Sequence, residues 1–312
     1  MVNSQKPPIK KLYKRLVENC RTPNQFNRLH IAIENRTTPI EIHRLSEEIS
    51  DHYANLPSAK WIGTLCALSN MSQKMAPEDY ARRKVGPNLY LYSNQIPASS
   101  KTLIVGFPGG AGRLMMPNPV LLQHLTAADT DLLFINHRGP DRYEVGVPRL
   151  GRDFLELAAS LAKIIHKLGY KRHVTFGTSA GGLPALVAAI LLDADQGTSV
   201  GSTALEQEAW KQVLEHPKFR AAISRESNCP RLLAAYSESN DRDRMAARDV
   251  SEKLPLSLLP IHAEMHNTLW GLLISRQLSK FLSLVTMADQ TWPPLQQLFP
   301  KTDHRTEPTT RR

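Results

Sequence analysis

The sequence predicts an α/β fold with a mostly parallel, doubly wound sheet and a helical N-terminal extension. Its 312 residues are 41% hydrophobic and 22% charged, the composition of a globular chain with a sizeable core. Along the middle of the chain, strand patterns alternate three times with helical patterns through short connections. Several strand patterns are continuous apolar runs, as in strands covered on both faces. This alternation indicates βαβ units, whose strands pair in parallel.

Residues 1–85 are predicted to form a helical region that packs on the rest of the chain. In "TTPIEIHRLSEEISDHYANL", Thr38 is placed to cap a helix that begins at a proline, and Glu41 completes a capping box. An apolar stripe of this length needs a surface to cover. The stripe has spacings of three and four residues and consists of Ile42, Leu45, Ile49 and Tyr53.

The sheet domain is predicted over residues 86–290, and the polar, basic residues 291–312 are expected to be a disordered tail. The strand patterns, in chain order, are "NLYLYSN", "KTLIVGFPGG", "DLLFINHRG", "HVTFG", "TSVGS", "PRLLAAYS" and "LSLLPIHA". The helix patterns are "PNPVLLQHLTAA", "GRDFLELAASLAKIIHKLGY", "AGGLPALVAAILLDAD", "ALEQEAWKQVLEHP", "RDRMAARDVSEKL" and a single final helix in "NTLWGLLISRQLSKFLSLV".

The chain is basic, with a formal net charge of +10 and an isoelectric point of about 9.6. The sequence shows no nucleic-acid module and no interleaving of aromatic and basic residues, so a nucleic-acid partner is not expected. The densest basic run is either a solvated helical face or a weak contact for an anionic surface. The run consists of Lys10, Lys11, Lys14 and Arg15.

Cysteine usage and hydropathy predict a cytoplasmic protein without a membrane span. Cys20, Cys66 and Cys229 are odd in number and far apart, which fits a reducing compartment better than a disulfide framework. The basic N-terminus has no apolar core of the kind found in secretory signals. Apolar runs also stay well below the ~20 residues that cross a bilayer.

The stretch "VTFGTSAGGLPAL" places Ser179 between a strand pattern and a helix pattern. Gly177 and Gly181 remove side chains where a tight turn would bring backbone segments together. The amides that open the following helix would favour a developing negative charge. A phosphate-binding turn is the alternative, but neither the dinucleotide nor the P-loop pattern is present. Ser179 is therefore predicted to be a nucleophile.

A nucleophilic serine needs a base within hydrogen-bond reach and an acid that orients the base. Groups that follow the carboxyl ends of parallel strands meet at one edge of a sheet. His266 follows the last strand pattern, and Asp241, Asp243 and Glu238 follow the one before it. His262 is placed within the last strand, and "HAEMH" lacks the spacing of a helical metal site, so no metal is expected.

These motifs resemble the α/β-hydrolase superfamily over roughly residues 88–285. The resemblance lies in the turn "GTSAGG", in "GFPGGAG" after an earlier strand, and in the chain order of serine, acid and histidine. Two positions depart from the usual pattern. Pro108 stands where many members have histidine, and Asn136 in "INHRG" stands where an acid is usual.

The resemblance implies a role for each site residue. Ser179 would be the nucleophile and His266 the base, and the backbone N–H groups of Gly110 and Ala180 would form the oxyanion hole. Asp243 is favoured as the acid because the helix pattern starts directly after it. Asp241 is the alternative, and Glu238 ranks third.

The resulting functional prediction is a serine hydrolase that cleaves a carboxylic ester or a related acyl bond without a cofactor. The substrate would be an acyl compound, either small or attached to a polymer. An acyltransferase is an open alternative, because an alcohol or amine could accept the same acyl group. A non-catalytic binding protein is a further alternative, since Pro108, Asn136 and the choice of acid leave it open.

Overall fold

The computed structural model describes residues 17–48, 57–137, 143–205, 208, 210–224 and 229–287. Within these residues the chain forms one sheet of eight strands. The strands are β1 (Ala81–Gly86), β2 (Leu89–Ser93), β3 (Thr102–Phe107), β4 (Thr130–Ile135), β5 (Arg172–Thr178), β6 (Gln196–Val200), β7 (Arg231–Ser237) and β8 (Leu256–Ile261).

The strand order is β1-β2-β4-β3-β5-β6-β7-β8. Strand β2 is antiparallel to both of its neighbours, and every other pair is parallel. Strand β2 therefore runs against all the others. The prediction of a mostly parallel, doubly wound sheet is confirmed.

Both faces of the sheet are covered, which explains why its central strands are continuously apolar. In β3, Leu103 and Val105 belong to one buried cluster, whereas Ile104 between them belongs to the other. Successive side chains of a strand point to opposite faces, so each apolar run supplies two cores.

Helices cover these two faces unequally. The helices are α1 (Pro23–Glu34), α2 (Pro39–Glu48), α3 (Pro57–Asn70), α4 (Asn118–His124), α5 (Phe154–Leu168), α6 (Gly182–Leu191), α7 (Lys211–Leu214), α8 (Pro217–Ile223), α9 (Asp241–Lys253), α10 (Thr268–Ile274) and α11 (Leu278–Thr286). On one face of the sheet, α5, α6 and α8 contribute side chains to the same buried cluster. The core on the other face unites α1 to α4 with α10 and α11.

The predicted capping box of the N-terminal region is confirmed at the start of α2. The Thr38 backbone N–H donates to Glu41 Oε2 over 2.9 Å, and the Glu41 backbone N–H donates to Thr38 Oγ1 over 3.3 Å. Ile42 and Leu45 of the apolar stripe are buried in the same cluster as residues of β3, β4 and β5. The other two stripe residues, Ile49 and Tyr53, lie outside the described residues.

Three elements differ from the sequence prediction. The sheet begins at Ala81, before the predicted boundary at residue 86, because β1 is a charged edge strand without an apolar pattern. The single final helix is two helices, α10 and α11, separated at Arg276, whose φ of 57° is left-handed. Among the described residues of "ALEQEAWKQVLEHP", the α-helix is confined to Lys211–Leu214, and α8 begins at the proline that ends the pattern.

The predictions about charge and the chain end concern residues that the structure does not describe. Cys20, Cys66 and Cys229 are not joined in disulfide bonds. The basic run Lys10, Lys11, Lys14 and Arg15 and the tail 291–312 lie outside the described residues. Among the helices that the structure describes, none combines the length and the apolar character needed to cross a membrane.

Candidate active site

Ser179 occupies a strained turn between β5 and α6. Strand β5 ends at Thr178, one turn of 3₁₀ helix covers Ser179–Gly181, and α6 begins at Gly182. The φ of Ser179 is 51°, in the left-handed region that residues with a side chain seldom adopt. Such strain collects at functional positions and persists only where the surroundings enforce it.

The glycines around Ser179 are required by close backbone packing. A Cβ atom on Gly177 would lie 2.0 Å from the carbonyl oxygen of Gly181. A Cβ atom on Gly181 would lie 2.1 Å from the carbonyl oxygen of Phe107, at the end of the neighbouring strand β3. The sequence therefore has glycine at these two positions because there is no space for a side chain.

His266 lies in the loop between β8 and α10 and connects the serine to a carboxylate. Its Nε2 atom is 3.0 Å from Ser179 Oγ, and its Nδ1 atom is 2.8 Å from Asp243 Oδ1. Gly201, at a φ of 57° after β6, packs against the edge of the imidazole. A Cβ atom there would lie 3.1 Å from His266 Cε1.

The structure brings one of the three candidate acids to the histidine. Asp243 lies in the first turn of α9, and its side chain is 2% exposed. Asp241 is 79% exposed and forms an ion pair with Arg244 at 2.6 Å. Glu238 faces His262 instead, with 3.8 Å between Glu238 Oε2 and His262 Nδ1.

Residues 108–113 pass directly beside Ser179 and are called the oxyanion loop below, after the role that the sequence predicts for them. A Cβ atom on Gly109 would lie 3.0 Å from the Thr178 carbonyl oxygen and 3.1 Å from Ser179 Cβ. The Gly109 N–H is occupied, because it donates to the Arg113 carbonyl oxygen over 2.9 Å. No acceptor among the described residues is bonded to the Gly110 N–H.

Two residues at the end of α1 also contact the oxyanion loop, and sequence reasoning missed both. Asn35 Nδ2 donates to the Gly112 carbonyl oxygen over 2.8 Å. Glu34 forms a two-point ion pair with Arg113, and one of these contacts, from Nη2 to Oε1, is 2.8 Å long. The sequence contains one signal for the contact of Glu34. This residue places a negative charge in the last turn of a helix, where the helix dipole favours a positive charge.

A cavity of about 280 Å³ opens onto the serine. Its lining includes Ser179, Ser202, Thr203, Arg242 and His266. A larger cavity of about 1070 Å³ lies apart from the Ser–His–Asp group, beside the carboxyl end of β4. No group of three or more metal-ligating side chains was found within the described ranges.

Comparison with known proteins gives likeness at the level of structure alone. No family model matches the sequence, and no curated protein matches it. A bacterial heroin esterase is 14% identical with a TM-score of 0.46, covering 75% of this chain and 92% of that one. Brefeldin A esterase, a bacterial homologue of human hormone sensitive lipase, is 13% identical with a TM-score of 0.44. The match covers 72% of this chain and 84% of the esterase. The bottromycin epimerase BotH is 12% identical with a TM-score of 0.42, and the match covers 67% of this chain and 100% of the epimerase.

The fold assignment rests on the chain's own topology. A single reversed strand next to the edge, the crossing of β3 and β4 in the strand order, and a serine on the sharp turn after β5 occur together. The carboxyl ends of the later strands β7 and β8 are followed by the acid and the histidine. The chain therefore has the α/β-hydrolase fold.

Proposed function

We propose that the protein is a serine hydrolase that cleaves a carboxylic ester or a related acyl bond through an acyl-enzyme. One observation carries the proposal, the hydrogen-bonded series from Ser179 Oγ through the His266 ring to Asp243 Oδ1. This is the arrangement of nucleophile, base and orienting acid that activates a serine hydroxyl at neutral pH.

In the first step Ser179 Oγ attacks the carbonyl carbon of the substrate, and its proton passes to His266 Nε2. The carbonyl electrons move to the oxygen, which accepts hydrogen bonds from the N–H groups of Gly110 and Ala180. Collapse of this tetrahedral species breaks the bond to the leaving group, which takes the proton from His266. An acyl-Ser179 ester remains.

In the second step water attacks the acyl-Ser179 ester while His266 Nε2 accepts a proton from it. Collapse releases the carboxylic acid and returns the proton to Ser179 Oγ. An alcohol or amine that reached the acyl-enzyme before water would give acyl transfer by the same steps. The two reactions differ only in the acceptor.

Asp243 fixes which nitrogen of His266 is free to act as base. Its carboxylate accepts a hydrogen bond from Nδ1–H, which leaves Nε2 unprotonated and directed at Ser179. The carboxylate also stabilises the imidazolium that forms in each step. Asn240 caps α9 by accepting from the Asp243 N–H over 3.1 Å, which fixes the turn that carries the acid.

The dimensions of the site favour a small acyl group. A cavity of about 280 Å³ is at the lower end of the range of small-molecule pockets. Ser202, Thr203 and Arg242 give its wall a polar character, which suits a polar or short acyl chain better than a long alkyl chain. The proposed substrates are therefore esters of short acyl groups.

A fluorophosphonate probe tests the proposal because it reacts only with an activated serine. The wild-type protein should be labelled, and mass spectrometry should place the label on Ser179. Ser179→Ala should abolish labelling and the hydrolysis of para-nitrophenyl acetate, whereas Ser224→Ala on the surface should leave both unchanged. A folded wild-type protein that takes no label would favour the non-catalytic binding role instead.

A further inference from the structure

The oxyanion loop is held from outside the sheet domain by the end of helix α1. Glu34 is the last residue of α1 and Asn35 follows it. Their side chains contact consecutive residues of the loop, Arg113 and Gly112. In sequence these contacts span 79 and 77 positions. The N-terminal helical region therefore reaches the immediate surroundings of the serine.

Arg113 connects the end of α1 to both sides of the proposed oxyanion hole. Its carbonyl oxygen accepts from the Gly109 N–H over 2.9 Å and from Thr178 Oγ1 over 3.3 Å. Gly109 precedes the proposed donor Gly110, and Thr178 precedes Ser179. One carbonyl group thus joins the loop to the turn that carries the nucleophile.

Electrostatics make the Glu34–Arg113 pair necessary for the local structure. The Glu34 side chain is 1% exposed and lies at a helix C-terminus, where both burial and the helix dipole disfavour a negative charge. The Arg113 fork compensates that charge at two points, and Trp61 Nε1 donates to Glu34 Oε1 over 2.8 Å. These contacts hold the Arg113 guanidinium against the buried Glu34 carboxylate.

We propose that Glu34 and Asn35 are positioning residues for the oxyanion hole, so that the N-terminal helices belong to the catalytic unit. The inference rests on the proposed serine hydrolase function. Glu34 sets the position of the Arg113 backbone, and Asn35 fixes the Gly112 carbonyl. Together they hold the Gly110 N–H where the oxyanion of the tetrahedral species forms.

The experiment compares Glu34→Gln, Asn35→Ala and Arg113→Lys with the wild type. Glu34→Gln retains an acceptor for Trp61 but loses the charge, and Arg113→Lys retains the charge but loses the two-point fork. The readouts are kcat and KM for para-nitrophenyl acetate, and inhibition by trifluoroacetone. This ketone is attacked by Ser179 Oγ and forms a hemiketal whose oxygen anion needs the same N–H donors.

A matched control removes a buried hydrogen bond at the opposite edge of the sheet. Tyr170→Phe loses the bond from the phenol to Asp131 near the amino end of β4, whereas the serine lies at the carboxyl end of β5. This variant should lower the melting temperature and leave kcat, KM and inhibition unchanged. It separates loss of stability from loss of oxyanion stabilisation.

We expect Glu34→Gln to lower kcat by roughly tenfold to a hundredfold with KM nearly unchanged, since a displaced donor weakens transition-state binding. Inhibition by trifluoroacetone should weaken by the same factor. If Glu34→Gln does not fold, Asn35→Ala and Arg113→Lys test the positioning role through the same measurements of kcat, KM and inhibition. Variants with wild-type kcat and inhibition would overturn the positioning role while leaving the hydrolase proposal intact. A wild-type protein that neither hydrolyses the ester nor takes a fluorophosphonate label overturns both.

Discussion

Asp243 Oδ1 lies 2.8 Å from His266 Nδ1, although Asp243 is one of three acidic side chains within six residues. Position in the first turn of α9 decides which of them meets the histidine. Asn240 caps the helix, so Asp241 is the first helical residue and points to solvent, and Asp243 is the third and points inward.

Exchanging each aspartate for asparagine should separate the two residues sharply. Asp243→Asn keeps the shape of the side chain but no longer favours the His266 tautomer that leaves Nε2 free. We expect kcat to fall by up to about 10⁴-fold, the effect of the same exchange in a serine protease. Asp241→Asn removes an exposed ion pair and should change kcat and melting temperature little. A larger kinetic loss in Asp241→Asn would transfer the role of acid to Asp241.

Glycine substitutions should distinguish the serine turn from an ordinary glycine position. Gly177→Ala would place a methyl group 2.0 Å from the Gly181 carbonyl oxygen, so the turn would have to open, and we expect a marked fall in melting temperature. Gly63→Ala in α3 has nothing within 4 Å and should stabilise the protein by about 0.5–1 kcal/mol. Thermal unfolding of both variants checks the contrast. Equal melting temperatures would mean that the turn is not packed as described.

Acid should destabilise the protein through His124, whose burial lowers its pKa to about 4. The unfolded chain, with a histidine pKa of about 6.5, then binds the proton more readily than the folded one. Stability is therefore lost as pH falls from about 6.5 to about 4, and by pH 5 the loss is on the order of 2 kcal/mol.

His124→Asn isolates this contribution of His124. The asparagine does not titrate and can keep a polar contact with Ser279, which lies 2.8 Å from His124 Nδ1. Urea unfolding at pH 7 and pH 5 should show a smaller drop in the variant than in the wild type. Burial also lowers the pKa of His30 to about 4, so part of the acid sensitivity should remain. An identical drop in both proteins would contradict the role of His124.

The N-terminal helices should resist separation from the sheet. Ile42 of α2 is fully buried in a cluster that includes Phe134 of β4 and Phe176 of β5, so removing the helices would expose the apolar face of the sheet. Limited proteolysis under native conditions should therefore fail to release a stable fragment that begins near residue 86. A stable, soluble fragment of that kind would show that residues 1–85 are a separate unit.

The sequence predicts the sheet and the sharp turn at Ser179 correctly, because both depend on local patterns. Continuous apolar runs indicate doubly covered strands, and Gly177 and Gly181 are dictated by contacts within a few residues of each other or with one neighbouring strand. The choice of acid could have been narrowed by recognising Asn240 as the helix cap. The sequence pattern predicts a start at Arg242 or directly after Asp243, whereas α9 begins at Asp241.

Other features of the structure are not indicated by any local pattern in the sequence. Strand β1 has Arg82, Arg83 and Lys84 in succession, and only its pairing with β2 makes it a strand. The break between α10 and α11 depends on the left-handed backbone at Arg276. The contact of Glu34 with Arg113 joins residues 79 positions apart and follows from how α1 packs on the sheet. Periodicity within a short window cannot detect such contacts.

Strand β6 lies between the two halves of the proposed catalytic group. Ser179 and the oxyanion loop follow β5 and β3, which are hydrogen-bonded neighbours up to the pair Phe107 and Gly177. Asp243 and His266 follow β7 and β8, and β6, with a spacing of about 4.8 Å per strand, lies in between. A shear of the sheet at β6 would therefore change the distance from serine to histidine while leaving the oxyanion hole assembled. Gly201, at the end of β6, lies beside His266 at this junction, where an added Cβ atom would come within 3.1 Å of His266 Cε1.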